Sequence, residues 1–212
     1  MSYYYEEIEK AVIDGNSENA AKYCLKSLQE GAAFQEIMNQ GLIKGMSIIG
    51  KMFKDEEIFI PEVMVSARAM HSGINAVKAN LDPSETISSK GTIVIGTVSD
   101  DMHDIGKNLV AMMLEGAGFK VVDLGINVSS EKFIQAVKQH KPVIVAVSAL
   151  LTTTMVNMEI AISKLKEAYG DDIKVIVGGA PVTEHFADQI GADGFGNDAS
   201  EAVEVALRLI GE

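Results

Sequence analysis

The sequence predicts an α/β chain in two parts: a four-helix bundle over residues 1–82, then a doubly wound parallel sheet of five strands over residues 92–212. Three observations predict it. The first 80 or so residues hold amphipathic helical stretches and no alternating strand pattern. Residues 83–91 are polar and carry Pro83, Gly91 and the serines 84, 88 and 89, the composition of a linker. Beyond them, strand-like and helix-like runs alternate.

Within the helical part, Tyr3 to Ile13 is a short amphipathic stretch that stops at Asp14-Gly15. Ser17 is the expected N-cap of a second helix, which runs through Leu28 and ends at Gly31. A third runs from Phe34 towards Phe53, with Phe34, Ile37, Met38, Leu42, Met46, Ile49 and Phe53 at helical spacing. Pro61 suits the first turn of a fourth, whose apolar stripe is Val63, Met64, Ala67, Met70, Ile74 and Val77. Four helices joined by short turns close an antiparallel bundle.

In the second part Thr92 to Val98 is a continuous β-branched run, as expected of a strand covered on both faces. A helix over Gly106 to Ala117 ends at Gly118. Strands follow at Lys120 to Leu124, Pro142 to Ser148 and Ile173 to Gly178, with a weaker one around Gly194-Phe195. Helices are expected over Glu131 to His140, Met155 to Ala168 and Ser200 to Ile210. Five such β–α units with right-handed crossovers give a flavodoxin-like sheet. Ligands of these sheets bind beyond the carboxyl ends of the strands, so the loops there carry the function.

Charge narrows the partners. A formal net charge of −12 excludes nucleic acid, whose phosphates need clustered Lys and Arg, and an anionic membrane surface as well. Cys24 is the sole cysteine, which excludes an internal disulfide and a thiolate metal cluster. MSYYYEEIEK lacks both the basic and the apolar region of a signal peptide, and no apolar run reaches the roughly 18 residues that span a bilayer. The expected location is cytoplasmic.

The loop after the first strand reads Ser99-Asp100-Asp101-Met102-His103-Asp104-Ile105-Gly106-Lys107-Asn108. A histidine between carboxylates at the carboxyl end of a strand is placed to ligate a metal, its second nitrogen oriented by an acidic neighbour. The plainer reading is a solvated loop that caps the next helix through Asp104. Ser148-Ala149-Leu150-Leu151-Thr152-Thr153-Thr154 follows the third strand, and Gly178-Gly179-Ala180 the fourth. Hydroxyls there often cap a helix and paired glycines often make a turn. Their shared position around one crevice is what favours function, because paired glycines let a bulky group lie against the backbone.

These segments resemble the cobalamin-binding module of cobalamin-dependent methionine synthase, and more closely the small corrinoid proteins of methanol and methylamine demethylation. The shared signature is Asp101-Met102-His103-Asp104-Ile105-Gly106, then Ser148-Ala149-Leu150, then Gly178-Gly179. In the helical half, Gly50 to Phe53, Ile58 to Val63 and Ser66 to Arg68 are similar to that family's cap bundle, so the likeness spans nearly the whole chain. It implies a cobalamin cofactor with His103 as lower cobalt ligand in place of dimethylbenzimidazole. Asp101 would bond the other imidazole nitrogen, and Thr154, standing where the family has serine, would complete the relay. Gly106 belongs to the same motif. Ser148 and Leu150 would line a slot for the displaced nucleotide tail, with Gly178 and Gly179 leaving room, Thr152 would also contact the cofactor, and Phe53 and Ile60 would shield the upper cobalt face.

The resemblance further implies a methyl carrier with no catalytic residues of its own. A substrate-specific methyltransferase would methylate its Co(I) cobalamin, and methyl-Co(III) would be presented to a second methyltransferase that passes the methyl to a folate or thiol. A reductive activator would complete the set. The alternative is a cobalamin-dependent sensor or regulatory module. Such proteins carry a DNA-binding or signalling domain, against which the charge and the few residues before the first helix speak. A receiver domain would use Asp100-Asp101 for Mg²⁺ but needs an aspartate where Ser148 stands. A carbon-skeleton mutase subunit shares the histidine motif but is covered by a barrel domain rather than a helical cap.

The remaining candidates read as structure. Eleven Met residues, several at helical spacing, are core filler rather than soft metal ligands. His71 reads as a packed histidine, His140 and His185 as exposed ones.

Overall fold

A computed structural model describes residues 3–80 and 89–212, which form two compact units. One is Met1–Lys90 with Glu115–Gly118; the other is Gly91–Leu114 with Phe119–Glu212. Of the expected linker, residues 83–88 lie outside the described residues.

The helical unit begins with α1 (Tyr5–Ile13), which buries Ile8, Ala11 and Val12 and stops where Gly15 takes φ +65°. Helix α2 (Ser17–Gln29) is capped by Asn16, not by Ser17. Asn16 is the last residue with extended backbone, and its side chain accepts from Asn19 N at 2.9 Å, whereas Ser17 is already helical. The third helical stretch is continuous but not uniform. It opens with α3 (Phe34–Glu36), passes through a π-helical segment (Ile37–Leu42), and continues as α4 (Ile43–Lys54). Two glycines bring this stretch close to α1. A Cβ on Gly41 would lie 2.7 Å from Ile8 Cγ2, and one on Gly45 2.8 Å from Val12 Cβ. The last helix is α5 (Ile60–Lys78), with Pro61 in its first turn and Glu62 accepting from Phe59 N at 3.1 Å. Val63, Ala67, Met70 and Val77 of its expected stripe are buried, but Met64 is 41% exposed. Cys24 is buried, and burial pushes its thiol up to about 12, which leaves it an inert core residue.

The second unit holds strands β1 (Thr92–Thr97), β2 (Lys120–Asp123), β3 (Ile144–Ser148), β4 (Lys174–Gly178) and β5 (Gly194–Gly196). All pairings are parallel and the order is β2-β1-β3-β4-β5, the flavodoxin-like arrangement. Between them run α6 (Ile105–Gly116), α7 (Ser130–His140), α8 (Met155–Tyr169), α9 (Glu184–Gln189) and α10 (Ala199–Leu209). Helix α9 is not among the helices expected from sequence. Its six residues are too few to show a period, and only the cap, Thr183 accepting from Phe186 N at 3.2 Å, marks its start. On one face Val94, Val145, Val147, Val175 and Val177 pack with Phe133, Met158, Ile162 and Leu165. The alternate strand residues Ile93, Ile95, Ile144 and Ile176 are buried too, and covering on both faces explains the unbroken apolar strands.

Register fixes where function can sit. Thr97 pairs with Ser148, Ser148 with Gly178, and Gly178 with Gly196, so four strands reach one line before their loops begin. The strand order reverses between β1 and β3, which opens a crevice at their carboxyl ends. Among the described residues, no helix is long and apolar enough to cross a membrane.

Candidate functional site

Two loops meet at that crevice, one after β1 and one after β3. Val98 N donates to Ser148 O at 3.0 Å, which continues the strand pairing by one step. The chain then turns sharply: Asp100 takes φ +64°, and Asp101 turns inward to become fully buried.

The Asp101 carboxylate accepts four hydrogen bonds. Oδ1 receives His103 N at 3.1 Å and His103 Nδ1 at 2.8 Å. Oδ2 receives Leu150 N at 2.8 Å and Thr154 Oγ1 at 2.7 Å. Burial alone would push this carboxyl up, but the donors from Thr154, Leu150 and His103 outweigh it and hold Asp101 well below the usual carboxylate range. Asp101 is therefore an ionised, acceptor-only group at neutral pH, which assigns the histidine tautomer. His103 Nδ1 must be the donor, so a neutral ring presents its lone pair at Nε2. Thr97 Oγ1 donates to His103 O at 2.9 Å and pins the residue from its backbone side.

The His103 side chain is 47% exposed, so Nε2 belongs to a group open to a ligand. Among the described residues no group of three or more His, Cys, Asp or Glu is arranged to hold a metal ion. A metal at Nε2 must bring its remaining ligands with it, as one held in a macrocycle does. The surroundings fit such a flat apolar guest. Met102 on the histidine loop, Ile105 at the start of α6, and Leu150 and Leu151 on the opposite loop are all exposed, at 65%, 72%, 38% and 42%. Apolar side chains left in water beside a histidine with a free ring nitrogen are better explained by a guest than by folding.

Ser148 is half-buried at the strand end, and Thr152 is exposed. A Cβ on Gly106 would meet nothing within 4 Å, so the first turn of α6 stands clear there. The glycine pair has a different reason for being glycine. A Cβ on Gly178 would sit 2.9 Å from Gly196 O, and one on Gly179, at φ +123°, would sit 1.9 Å from Ala149 O. The space a side chain would need is already backbone, so both are required for strand and loop packing whatever else lies nearby. Phe53 and Ile60 belong to the other unit, Phe53 half-buried near the end of α4 and Ile60 38% exposed at the start of α5.

Sequence reasoning brought Asp101, His103 and Thr154 together but missed Asn127, Asn157, Lys107 and the way in which Leu150 contributes. Leu150 acts through its backbone N–H, which no side-chain pattern announces. Asn127 and Asn157 hold the histidine loop from sites 27 and 58 residues along the chain from their partners. Lys107 is buried and bonds Asp123 Oδ2 at 2.5 Å and Asn108 Oδ1 at 2.6 Å, tying the first turns of α6 to the end of β2.

Comparison with known proteins identifies the family. One B12 binding domain model matches residues 91–204, and a second matches residues 4–78. A corrinoid protein of Desulfitobacterium hafniense is 39% identical over 213 residues, covering 98% of this chain and 97% of the relative. Trimethylamine corrinoid protein 1 of Methanosarcina acetivorans is 44% identical over 196 residues, 91% of this chain and 90% of the relative. Among solved structures, the methanol:cobalamin methyltransferase complex of Methanosarcina barkeri contains a chain with TM-score 0.87 and 33% identity, covering 96% of this chain and 78% of that one.

Proposed function

The chain belongs to the B12-binding family of corrinoid proteins, with cobalamin as its cofactor, and from that premise we propose that it is a methyl carrier. It takes a methyl group from a substrate methyltransferase and hands it to a second methyltransferase that serves a folate or thiol acceptor. The observation that carries this reading is the Thr154–Asp101–His103 chain of hydrogen bonds, which ends in a half-exposed imidazole flanked in sequence by exposed apolar side chains. When bound, cobalamin supplies the cobalt at which the methyl group is accepted and released.

The residues do the rest. His103 would hold the cobalt through Nε2. Asp101, buried and ionised, fixes the tautomer and would stabilise an imidazolium were the ring to be released with a proton. Thr154 and Leu150 N hold the carboxylate on its far side, so that it stays in place whichever state the ring adopts. Ser148 and Leu150 would line a slot for the nucleotide tail, with Thr152 a further cofactor-binding candidate on the same loop. Names of relatives, methylated amines and methanol among them, support a small one-carbon donor.

Breaking a C–N or C–O bond needs a protonated or metal-bound leaving group, and at the described site the groups around His103 are engaged in holding that histidine. Activation therefore belongs to a partner. The test is an anaerobic spectroscopic assay with trimethylamine, dimethylamine and methanol, omitting each component in turn. Methylation should require a cognate substrate methyltransferase. Rapid methylation by the reduced protein alone would overturn the carrier reading.

A further inference from the structure

The loop that presents His103 is held at two points that take no part in the Thr154–Asp101–His103 chain. Asn157 Nδ2, in the first turn of α8, donates to Ser99 O at 2.8 Å and to Asp100 Oδ2 at 3.3 Å. Asn127 Oδ1, in the loop after β2, accepts from Asp100 N at 2.9 Å, and Asn127 N donates to Asp101 O at 3.1 Å. Between these two amides lies Asp100, a residue with a side chain in the left-handed region, at φ +64°. Asn127 itself sits at φ +52°. A left-handed conformation at a residue other than glycine is unfavourable and persists only where its surroundings enforce it. Here the enforcement is visible on both sides of the turn.

Helix α8 is thus attached to the loop twice. Thr154 grips the Asp101 side chain, and Asn157, three residues on, grips the backbone ahead of it. The first grip acts on the ligand's partner. The second acts on the turn that aims the partner inward.

We propose that Asn157 and Asn127 are positioning residues, which clamp the left-handed turn at Asp100 and so keep His103 preorganised as a metal ligand. The inference rests on the reading of His103 as the cobalt ligand, but its first test does not require cobalt. The clamp removes conformations in which Asp101 turns outward, so ligation orders little further chain. Losing one such hydrogen bond should lower the ratio of His-on to His-off cobalt about fivefold, the scale of a single net hydrogen bond.

The discriminating variant is Asn157→Asp. It keeps the side chain's shape and places an anion in the first turn of α8, where the helix dipole favours it. A role confined to supporting the helix would be preserved or strengthened, while at the turn the donor to Ser99 O is lost and a second carboxylate faces Asp100, both of which release the clamp. Asn127→Gly serves as the second arm, because glycine accepts the left-handed backbone and removes only the side-chain acceptor. In the apo full-length protein, nitrogen NMR of the imidazole should show His103 as the Nδ1–H tautomer with a protected proton. Both variants should exchange that proton about fivefold faster or more, with circular dichroism unchanged. Loaded with cob(II)alamin, both should show a reduced axial-nitrogen signal in EPR. Unchanged proton exchange in both variants overturns the clamp, whatever the cobalt spectra show. If His103→Ala leaves the cobalt spectrum of the wild type intact, the ligation reading fails instead, and the apo measurement still decides the clamp.

Discussion

Thr154 donates its hydroxyl proton to Asp101 Oδ2 at 2.7 Å from the position at which it would ordinarily cap helix α8. A threonine at an N-cap normally turns its oxygen towards the backbone N–H two or three residues on, and losing that bond costs about 1 kcal/mol. Here the cap bond is not made; Asn157 N is satisfied by the Thr154 backbone oxygen at 3.0 Å. The hydroxyl is committed to the carboxylate, a charged acceptor and so the stronger one, with Leu151 O at 2.9 Å as a second contact. Local helix stability has been exchanged for a fixed carboxylate under His103.

The exchange predicts a graded series at position 154. Thr154→Ser keeps the hydroxyl and should stay within about 1 kcal/mol of the parent. Thr154→Val keeps the volume but sets a methyl against a buried carboxylate, and should lose about 2 kcal/mol because Asp101 gives up a charged hydrogen bond. Urea unfolding of apo-protein measures the series. Equal stability for the serine and valine variants would mean that the hydroxyl does not hold Asp101.

Gly178 and Gly179 give a second prediction, and it differs from the one their motif alone suggests. Read from sequence, the pair leaves room for a cofactor tail, so a side chain should block binding and spare the fold. The structure places Gly196 O and Ala149 O where the new Cβ atoms would go. Gly179→Ala, which also needs φ +123°, should therefore lose several kcal/mol, more than strain at one left-handed residue of about 1–3 kcal/mol. Gly178→Ala should lose less, because a shift of β5 by a few tenths of an ångström relieves its contact. Thermal unfolding followed by circular dichroism, with cobalamin titration on whatever remains folded, separates the two effects. A fully stable Gly179→Ala would contradict the packing reading.

How much of this was legible from sequence depends on the range of the interaction. The strands announced themselves because both faces are covered, which turns Thr92 to Thr97 and Ile144 to Ser148 into β-branched runs. The histidine loop was legible because His103 and Asp101 are two residues apart and lie at a strand end. Helix α9 was not, being shorter than two turns, and the π segment over Ile37–Leu42 shares its apolar spacing with an ordinary helix. Asn127 and Asn157 were invisible for another reason. Each is an unremarkable polar residue until the fold brings it to Asp100 and Ser99.

Acid sensitivity of the sheet unit should pass partly through Asp193. This carboxylate bonds Lys166 Nζ at 2.5 Å and Val175 N at 2.8 Å, with Lys174 Nζ at 3.4 Å. Burial pushes its carboxyl up, but the bonds from Lys166 and Val175 and the charges of Lys166 and Lys174 prevail, so it lies below the usual 3.8. A depressed carboxyl adds stability in full above the unfolded value, near pH 4, and loses it as pH falls through the folded value. Asp193→Asn should therefore be less stable than the parent at pH 7, and the gap should narrow below about pH 4. Urea midpoints of both proteins across that range provide the check, since every other carboxylate is common to the pair. A gap independent of pH would show that the ion pairs are not its source.

The last prediction isolates the ligand from the rest of the site. Asp101 is satisfied by four donors, and two of them come from residue 103: its backbone N and its Nδ1. His103→Ala removes only Nδ1, so three donors remain and the carboxylate stays paired, with Thr154 and Leu150 N undisturbed. The loop should keep its shape, since its turn at Asp100 is held by Asn127 and Asn157 rather than by the imidazole. Binding of the cofactor's tail should survive in part, while the spectrum that marks histidine at the lower cobalt position should vanish. His103→Gln tests the same point differently, because its amide is a poor cobalt ligand yet can still donate to Asp101. If cob(II)alamin bound to His103→Ala gives the same axial-nitrogen EPR splitting as the parent, another nitrogen holds the cobalt. If instead the variant unfolds, the three remaining donors were too few to keep a buried carboxylate in place, and His103→Gln, which restores the fourth, decides the matter by its cobalt spectrum.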